Sequence, residues 1–443
     1  MAPNTRTRLL GAAAFIASLT LAPAAFAQDH AMHDMTGMAT PAPATPASAD
    51  ADAAPMDEMA GMGGMISPLG AYPASRDAGG TAWQPDATPH GGVHLMSGDW
   101  MVMVHGEFNL VASDQSGPRG DSRSFAAGML MGMAQRDLGP GTLQLKAMVS
   151  PDPFMGPEGY PLLLATGETA DGIDHLVDRQ HPHDLFMELS ASYSLPVGEK
   201  GSLFVYGGLP GEPAFGPPAF MHRAAAMDSP EAPISHHWFD STHVTFGVVT
   251  GGFTWDRWKV EASAFRGREP DQNRWDIETG DLDSRSARVS FNPTDNWSLQ
   301  ASWADITSPE ALEPLVDEKR VSLSALYGRA FGSAGFVSAT GGWARKDKDG
   351  ETLDAWLFES AIQFNDAWTV FARAEQVDQA ELAPGNIYTV RKVSIGAIHD
   401  WRLSDDIKLG VGALINGFDI PSPLSASYGD TGGGMAFVRL KIG

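Results

Sequence analysis

Residues 99–110 read DWMVMVHGEFNL. Trp100, Val102, Val104, Phe108 and Leu110 fall on one parity, and Asp99, Met101, Met103, His105, Glu107 and Asn109 on the other. Side chains alternate between the two faces of a strand, so one face suits lipid or a core and the other suits water. The alternation recurs in GTLQLKAMVS (141–150), WKVEASAFR (258–266), NWSLQASWAD (296–305), AWTVFARAEQ (367–376), DIKLGVGALIN (406–416) and MAFVRLKIG (435–443). In the last, Ala436, Val438, Leu440 and Ile442 oppose Met435, Phe437, Arg439 and Lys441.

Connection lengths carry a second signal. Tight links at 137–141, 292–296, 331–335, 365–367 and 403–406 take turns with long ones at 151–182, 209–240, 266–281, 307–318, 377–389 and 417–431. Short periplasmic turns and long external loops on antiparallel strands are the signature of a bacterial outer-membrane barrel. The pattern predicts an all-β chain: a transmembrane antiparallel β-barrel of about 16 strands (14–18), with both termini periplasmic. A soluble β-sandwich or propeller shares the alternation but not the rhythm of connections. Trp100, Trp258, Trp297, Trp303, Trp343, Trp356 and Trp368 lie near strand ends on the outer parity, as interfacial girdles require. One feature departs from the type: many outer-membrane proteins end on an aromatic residue, whereas this chain ends Lys441-Ile442-Gly443.

Upstream of the barrel the composition differs. Arg6 and Arg8 precede an apolar run from Leu9 to Phe26 that ends Ala25-Phe26-Ala27, which predicts a secretory signal peptide over 1–27. Removing it leaves 28 basic against 54 acidic side chains, a net charge of −26. Such a surface attracts cations and makes nucleic acid a poor partner. Residues 28–96 are rich in Ala, Pro, Gly, Asp and Met with no sustained apolar period, and are expected to form a disordered periplasmic arm ahead of a barrel over 97–443.

Cysteine is absent, so soft-metal chemistry in this chain must use thioether and imidazole. The arm supplies both. His30, Met32, His33, Met35 and Met38 cluster in DHAMHDMTGM, and Met56, Met59, Met62 and Met65 recur in MDEMAGMGGM. Thioether sulfur favours Cu(I) and imidazole also accepts Cu(II), so a flexible arm can wrap either ion. Gly61, Gly63 and Gly64 argue against reading the threefold Met spacing as a helix face.

A Met/His-rich exported segment ahead of a barrel resembles the outer-membrane copper-resistance proteins of Gram-negative bacteria, with DHAMHDM and MDEMAGMGGM as the matching stretches. The resemblance implies an outer-membrane location, copper binding by those Met and His residues and a part in copper tolerance. It covers less than a tenth of the chain by motif. No barrel motif matches, and the barrel portion is longer than the pattern expects.

A second set of imidazoles lies in two long connections expected on the external side. HLVDRQHPHDLFMEL carries His175, Asp178, His181, His183 and Asp184, and the next connection carries His222, His236, His237 and His243. Long porin loops fold into the lumen, so these two can converge. His181-Pro182-His183-Asp184 is a candidate chelating tripod, because proline fixes the backbone between two imidazoles. His and Asp also tie loops down by hydrogen bonds, and a loop-packing network is the competing reading. Lumen parity further places His105 with Glu107, and Asp184 and Glu188 beside Arg257, Lys259, Glu261, Arg373 and Glu375.

Three functions follow from these features. The first is a barrel that binds or conducts copper or silver for metal tolerance, with copper ion as the ligand and metal cations, outer-membrane lipid and periplasmic copper-handling proteins as partners. The second is a porin-like channel for small organic solutes, of a size that often assembles as a homotrimer. The third, an outer-membrane hydrolase using His243 with Ser241 or His399 with Ser394, is disfavoured because no GxSxG elbow or HExxH helix is present.

Overall fold

The computed structural model describes residues 65–89 and 91–443. Its strands are β1 (Val93–Ser97), β2 (Trp100–Gln115), β3 (Ser122–Leu138), β4 (Gly141–Val149), β5 (Tyr160–Thr169), β6 (His175–Gln180), β7 (Phe186–Val197), β8 (Gly201–Gly208), β9 (Val248–Trp255) and β10 (Trp258–Phe265). They continue as β11 (Ser284–Thr294), β12 (Trp297–Ile306), β13 (Glu318–Phe331), β14 (Gly335–Lys348), β15 (Glu351–Gln363), β16 (Trp368–Gln379), β17 (Tyr388–Ser404), β18 (Ile407–Asp419) and β19 (Gly433–Ile442).

Sixteen of these, β2 to β4 and β7 to β19, pair antiparallel with their neighbours, and β19 pairs back onto β2 to close the sheet. Closure leaves no strand edge for lipid to face. The last strand, which does not end on an aromatic residue, closes it fully, with Val438 opposite Leu110 and Leu440 opposite Phe108. Where β19 stops, with Ile442 opposite Gly106, β1 takes over the same edge of β2 with Val93 opposite Val104. All seven hairpin turns on the side of the termini are short. Two connections on the other side are short as well, 116–121 and the tight Asp349-Gly350 turn, where both residues adopt positive φ.

The alternation sorts side chains as the parity predicts. Val260 is 55% exposed on the outer wall between Lys259 and Glu261, which are buried inside. Leu110, Leu203, Val249, Phe358, Val393 and Ile415 extend this apolar exterior. Trp255, Trp258, Trp297, Trp368 and Trp401 mark its short-turn rim, and Trp303 and Trp356 stand toward the opposite rim.

The lumen is filled by three segments. One departs from the expected arm: of residues 28–96, those from Met65 to Pro89 are folded inside the short-turn mouth, with Leu69, Tyr72 and Trp83 buried. Lys146 of β4 donates to Gly80 O (2.9 Å), Lys259 of β10 donates to Thr81 O, and Arg288 of β11 donates to Thr81 Oγ1 (3.1 Å). Gly80 has φ +54°, and a Cβ there would come 2.6 Å from Cβ of Glu212, so glycine lets this segment pass beneath the second one.

That second segment, 209–247 between β8 and β9, is fixed to the wall by buried ion pairs. Arg223 meets Glu359 of β15 (2.8 Å), Glu231 meets Lys392 of β17 (2.8 Å), and Asp228 meets Arg439 of β19 (2.5 Å). The third segment, 150–185 between β4 and β7, includes the β5–β6 hairpin, which is separate from the barrel sheet. Buried charges of this kind hold position only when paired, so the two long connections are built into the lumen.

Candidate metal centre in the lumen

The two long connections meet through imidazoles. Ring centroids of His181 and His183 lie 6.3 Å apart, His183 and His243 5.1 Å, His243 and His236 5.2 Å, and His236 and His181 5.9 Å. The four rings form a closed circuit, with Phe220 packed on His236 at 5.6 Å. A cation held tetrahedrally by four ring nitrogens at about 2.1 Å needs centroid separations of about 5.2 Å. The centroids lie near that spacing, but no three of these rings bring ligand nitrogens within 4.8 Å of one another, so the rings must turn as well as draw together to close on an ion.

The second nitrogen of each ring is already committed. His183 Nδ1 lies 2.7 Å from Asp152 Oδ2, His236 Nδ1 2.7 Å from Asp240 Oδ1, His243 Nδ1 2.6 Å from Asp240 O and His181 Nδ1 3.3 Å from Pro182 O. Carboxylate and carbonyl oxygens only accept, so each Nδ1 carries the proton. Nε2 of all four rings is buried and has no hydrogen-bond partner, and that of His181 faces Glu168 Oε1 at 3.4 Å. Burial, helped by the charge of Arg274, holds His181 well below the usual imidazole range; burial and neighbouring His183 do the same for His243, and burial outweighs Asp240 at His236. Neutral imidazoles with Nδ1–H anchored and Nε2 free are what a metal ion requires of histidine.

His237 touches the cluster, 5.4 Å from His236, but faces Glu269 with Nδ1 at 3.7 Å. Burial opposes its protonation, yet Glu269 prevails and raises its pKa. Its imidazole is therefore turned to Glu269 rather than to the other four rings.

A cavity of about 390 Å³ runs from the short-turn mouth, at Met65, Gly443 and Met101, to His181, His183 and Phe220. Methionine lines it. Met103 of β2 stands opposite Met133 of β3, His105 opposite Met131, and Glu107 opposite Met129. Met221 and His222 face them from the 209–247 segment, with His222 6.3 Å from His105. Met148 and Met187 pack behind Met129 and Met131.

The residues singled out from the sequence divide as follows. His30, Met32, His33, Met35, Met38, Met56, Met59 and Met62 lie outside the described residues, as does the expected signal peptide. Met65 lines the cavity mouth. His181, His183 and His236 meet in the cluster, joined by His243 from the same connection as His236. His175 does not join them: it stands at the outer rim beside Glu310 and Glu381. Asp184 is not part of a tripod with His181 and His183; it is buried against Arg274 (3.3 Å). Arg257 lies in the β9–β10 turn with Asp295 (2.8 Å), outside the lumen set in which Glu188, Lys259, Glu261, Arg373 and Glu375 are buried. Ser241 donates to Glu269 and accepts from Arg320, while Ser394 is buried and His399 stacks on Trp368 and Trp401 at the outer wall, so neither supposed Ser–His pair is assembled. The methionine wall was missed. Its signal was the run of Met101, Met103, Met129, Met131 and Met133 on lumen parity, which reads as ordinary filler until the register is known.

Fold and lumen together define a porin-type barrel whose interior is occupied by its own chain. No protein-family model matches the sequence, and no curated protein matches it. Among solved structures the chain is similar to OmpF of Salmonella typhi in complex with daunomycin, with a TM-score of 0.50 and 10% identity over 79% of this chain and 100% of that one. It is also similar to OmpT of Vibrio cholerae (TM-score 0.44, 9% identity, 79% and 100% covered) and to an anion-selective porin from Comamonas acidovorans (TM-score 0.44, 12% identity, 77% and 100% covered). The chain has the sixteen-stranded fold of the outer-membrane porins. None of these three is a copper-resistance protein, and that resemblance rests on the arm's Met and His residues alone.

Proposed function

We propose that this protein is an outer-membrane barrel of the porin type that takes up a soft monovalent cation, copper(I) or silver(I), from the periplasmic side and contributes to metal tolerance. The observation that carries the reading is one cavity whose methionine wall runs up to His181 and His183, with His236 and His243 completing a ring of four imidazoles behind them. Thioethers select soft ions, and ligands spaced along a wall let an ion pass between weak sites. The sulfur- and imidazole-bearing stretch precedes Met65 in sequence, and its ligands suit hand-over from a periplasmic copper-handling protein. The comparisons support the porin-like barrel and lend nothing to the metal.

A second reading, a channel for small organic solutes, is favoured by the porin fold and by a cavity in the size range of small-molecule sites. Copper sensitivity of a deletion strain separates the two. Complementation by the parent chain, but not by H183N/H243N or by a chain lacking residues 28–66, supports the metal reading. Equal tolerance with all three, together with solute flux through the purified protein in liposomes, establishes the solute channel.

A further inference from the structure

At the outer rim, three connections that are remote in sequence bring one imidazole and two carboxylates together. His175 begins β6 in the inner hairpin, Glu310 lies between β12 and β13, and Glu381 between β16 and β17. His175 Nδ1 is 3.9 Å from Glu310 Oε2 and 3.7 Å from Glu381 Oε2. Among the described residues this is the one trio of His, Asp or Glu whose ligand atoms all lie within 4.8 Å of one another.

The oxygens that face the imidazole are the ones left over. Glu310 is only 5% exposed, and its Oε2 has no hydrogen-bond partner; Glu381 Oε2 has none either. Lys348 at the end of β14 uses the other side of the group, bonding Glu310 Oε1 at 2.8 Å and Glu313 Oε2 at 2.6 Å, with Glu381 Oε1 at 4.0 Å. One ammonium therefore serves three carboxylates and leaves two buried-facing oxygens unmatched. A buried carboxylate oxygen without a donor or a cation is costly.

We propose that His175, Glu310 and Glu381 form a site for a divalent cation of the zinc class, which ties the inner hairpin to two external loops and clamps the outer mouth. One nitrogen and two carboxylate oxygens are a borderline-hard donor set with an open fourth position for water, unlike the sulfur and imidazole of the lumen. At zinc distances of about 2.0–2.1 Å, tetrahedral ligand atoms sit about 3.4 Å apart, close to the 3.9 and 3.7 Å from His175 Nδ1 to the two carboxylates, which themselves lie within 4.8 Å of each other. The clamp stands independently of the soft-metal reading, since it uses no residue of the lumen cluster.

The test uses the full chain purified in detergent, with zinc ion as the probe and the lumen variant H183N/H243N as the background, so that imidazoles of the cavity do not mask the rim. Calorimetric titration should give one zinc per chain. H175N, which changes a half-exposed side chain, and separately E381Q should each weaken zinc by at least about tenfold. Hydrogen exchange in 170–175, 307–317 and 380–387 should slow on adding zinc and return with chelator in the background protein, and not respond in either rim variant. Zinc affinity within twofold of the background in both rim variants, or loop exchange indifferent to zinc, overturns the proposal. Unaltered heat-modifiable mobility of each variant establishes that the barrel is folded.

Discussion

Asp240 holds two rings of the lumen cluster at once: its Oδ1 accepts from His236 Nδ1 at 2.7 Å, and its backbone carbonyl accepts from His243 Nδ1 at 2.6 Å. Its other oxygen meets Arg223 (2.5 Å), which reaches Glu359 on the barrel wall. The orientation of two candidate ligands thus passes through one carboxylate to a strand. With Arg223 and His236 beside it, Asp240 stays ionised far below the ordinary carboxylate range despite burial.

Asp240→Asn should therefore weaken silver(I) or copper(I) binding by about 10- to 100-fold, the usual cost of disturbing the partner of a metal-bound histidine. Arg223 keeps Glu359, so the barrel should still fold. Competition titration against a thioether chelator measures the affinity. An unchanged constant for both D240N and D152N would remove these carboxylates from any ligand-orienting role.

The methionine wall can be tested without disturbing the fold, because Leu for Met conserves volume and costs less than about 1.5 kcal/mol per site. In M129L/M131L/M133L the unfolding midpoint should stay near the parent's while silver transfer into liposomes falls by about tenfold or more, since only the soft donors are gone. Zinc binding at the outer rim should be unaffected. Silver transfer equal to the parent's would make the wall plain packing.

Glu212 gives a pH signature. Burial against the inner segment pushes its carboxyl up to about 8, with Arg288 pulling the other way. Its unfolded value is about 4.3, so between roughly pH 4 and 8 the unfolded chain has released a proton that the folded chain retains. Stability then falls as pH rises through that window. Glu212→Gln has no such proton, and should narrow the difference in unfolding free energy, from urea titrations at pH 5.5 and 8.5, by an amount of order a few kcal/mol. A difference as large in E212Q as in the parent would place the titration elsewhere.

How much of this was legible in the sequence follows from range. The barrel was, because parity in 99–110 is local and a lipid exterior forces it everywhere; so was the meeting of His181 with His236, since long loops of such barrels have only the lumen to fill. The folded inner segment was not. Residues 65–89 have no periodic pattern, and they are ordered by Lys146, Lys259 and Arg288, each distant in sequence. His175 was misplaced for a related reason: its neighbours Glu310 and Glu381 come from connections that nothing local links to it. Lumen register made the methionines a wall, and register is a property of strand pairs.

The inner segment packs into the short-turn mouth through one buried cation. Arg76 stacks on Tyr72 and Trp83, with its guanidinium carbon 5.0 and 4.7 Å from their ring centres. It makes a two-pronged bond to Asp86 (2.7 Å each) and donates to Asp256 O in the β9–β10 turn (2.8 Å). Arg76→Ala leaves Asp86 buried with Asn292 as its remaining partner (2.7 Å), a loss of about 3–5 kcal/mol by the usual cost of breaking a buried pair. The barrel's own ladder is untouched, so heat-modifiable mobility should persist while residues 65–89 become cleavable by chymotrypsin, after Leu69 or Trp83. Planar-bilayer recordings should then show larger or more frequent conductance steps than the parent, and removal of 65–89 should carry the change further. If the variant conducts like the parent even after the segment has been cleaved, Met65–Pro89 does not obstruct the path, and the two long connections alone set the pore.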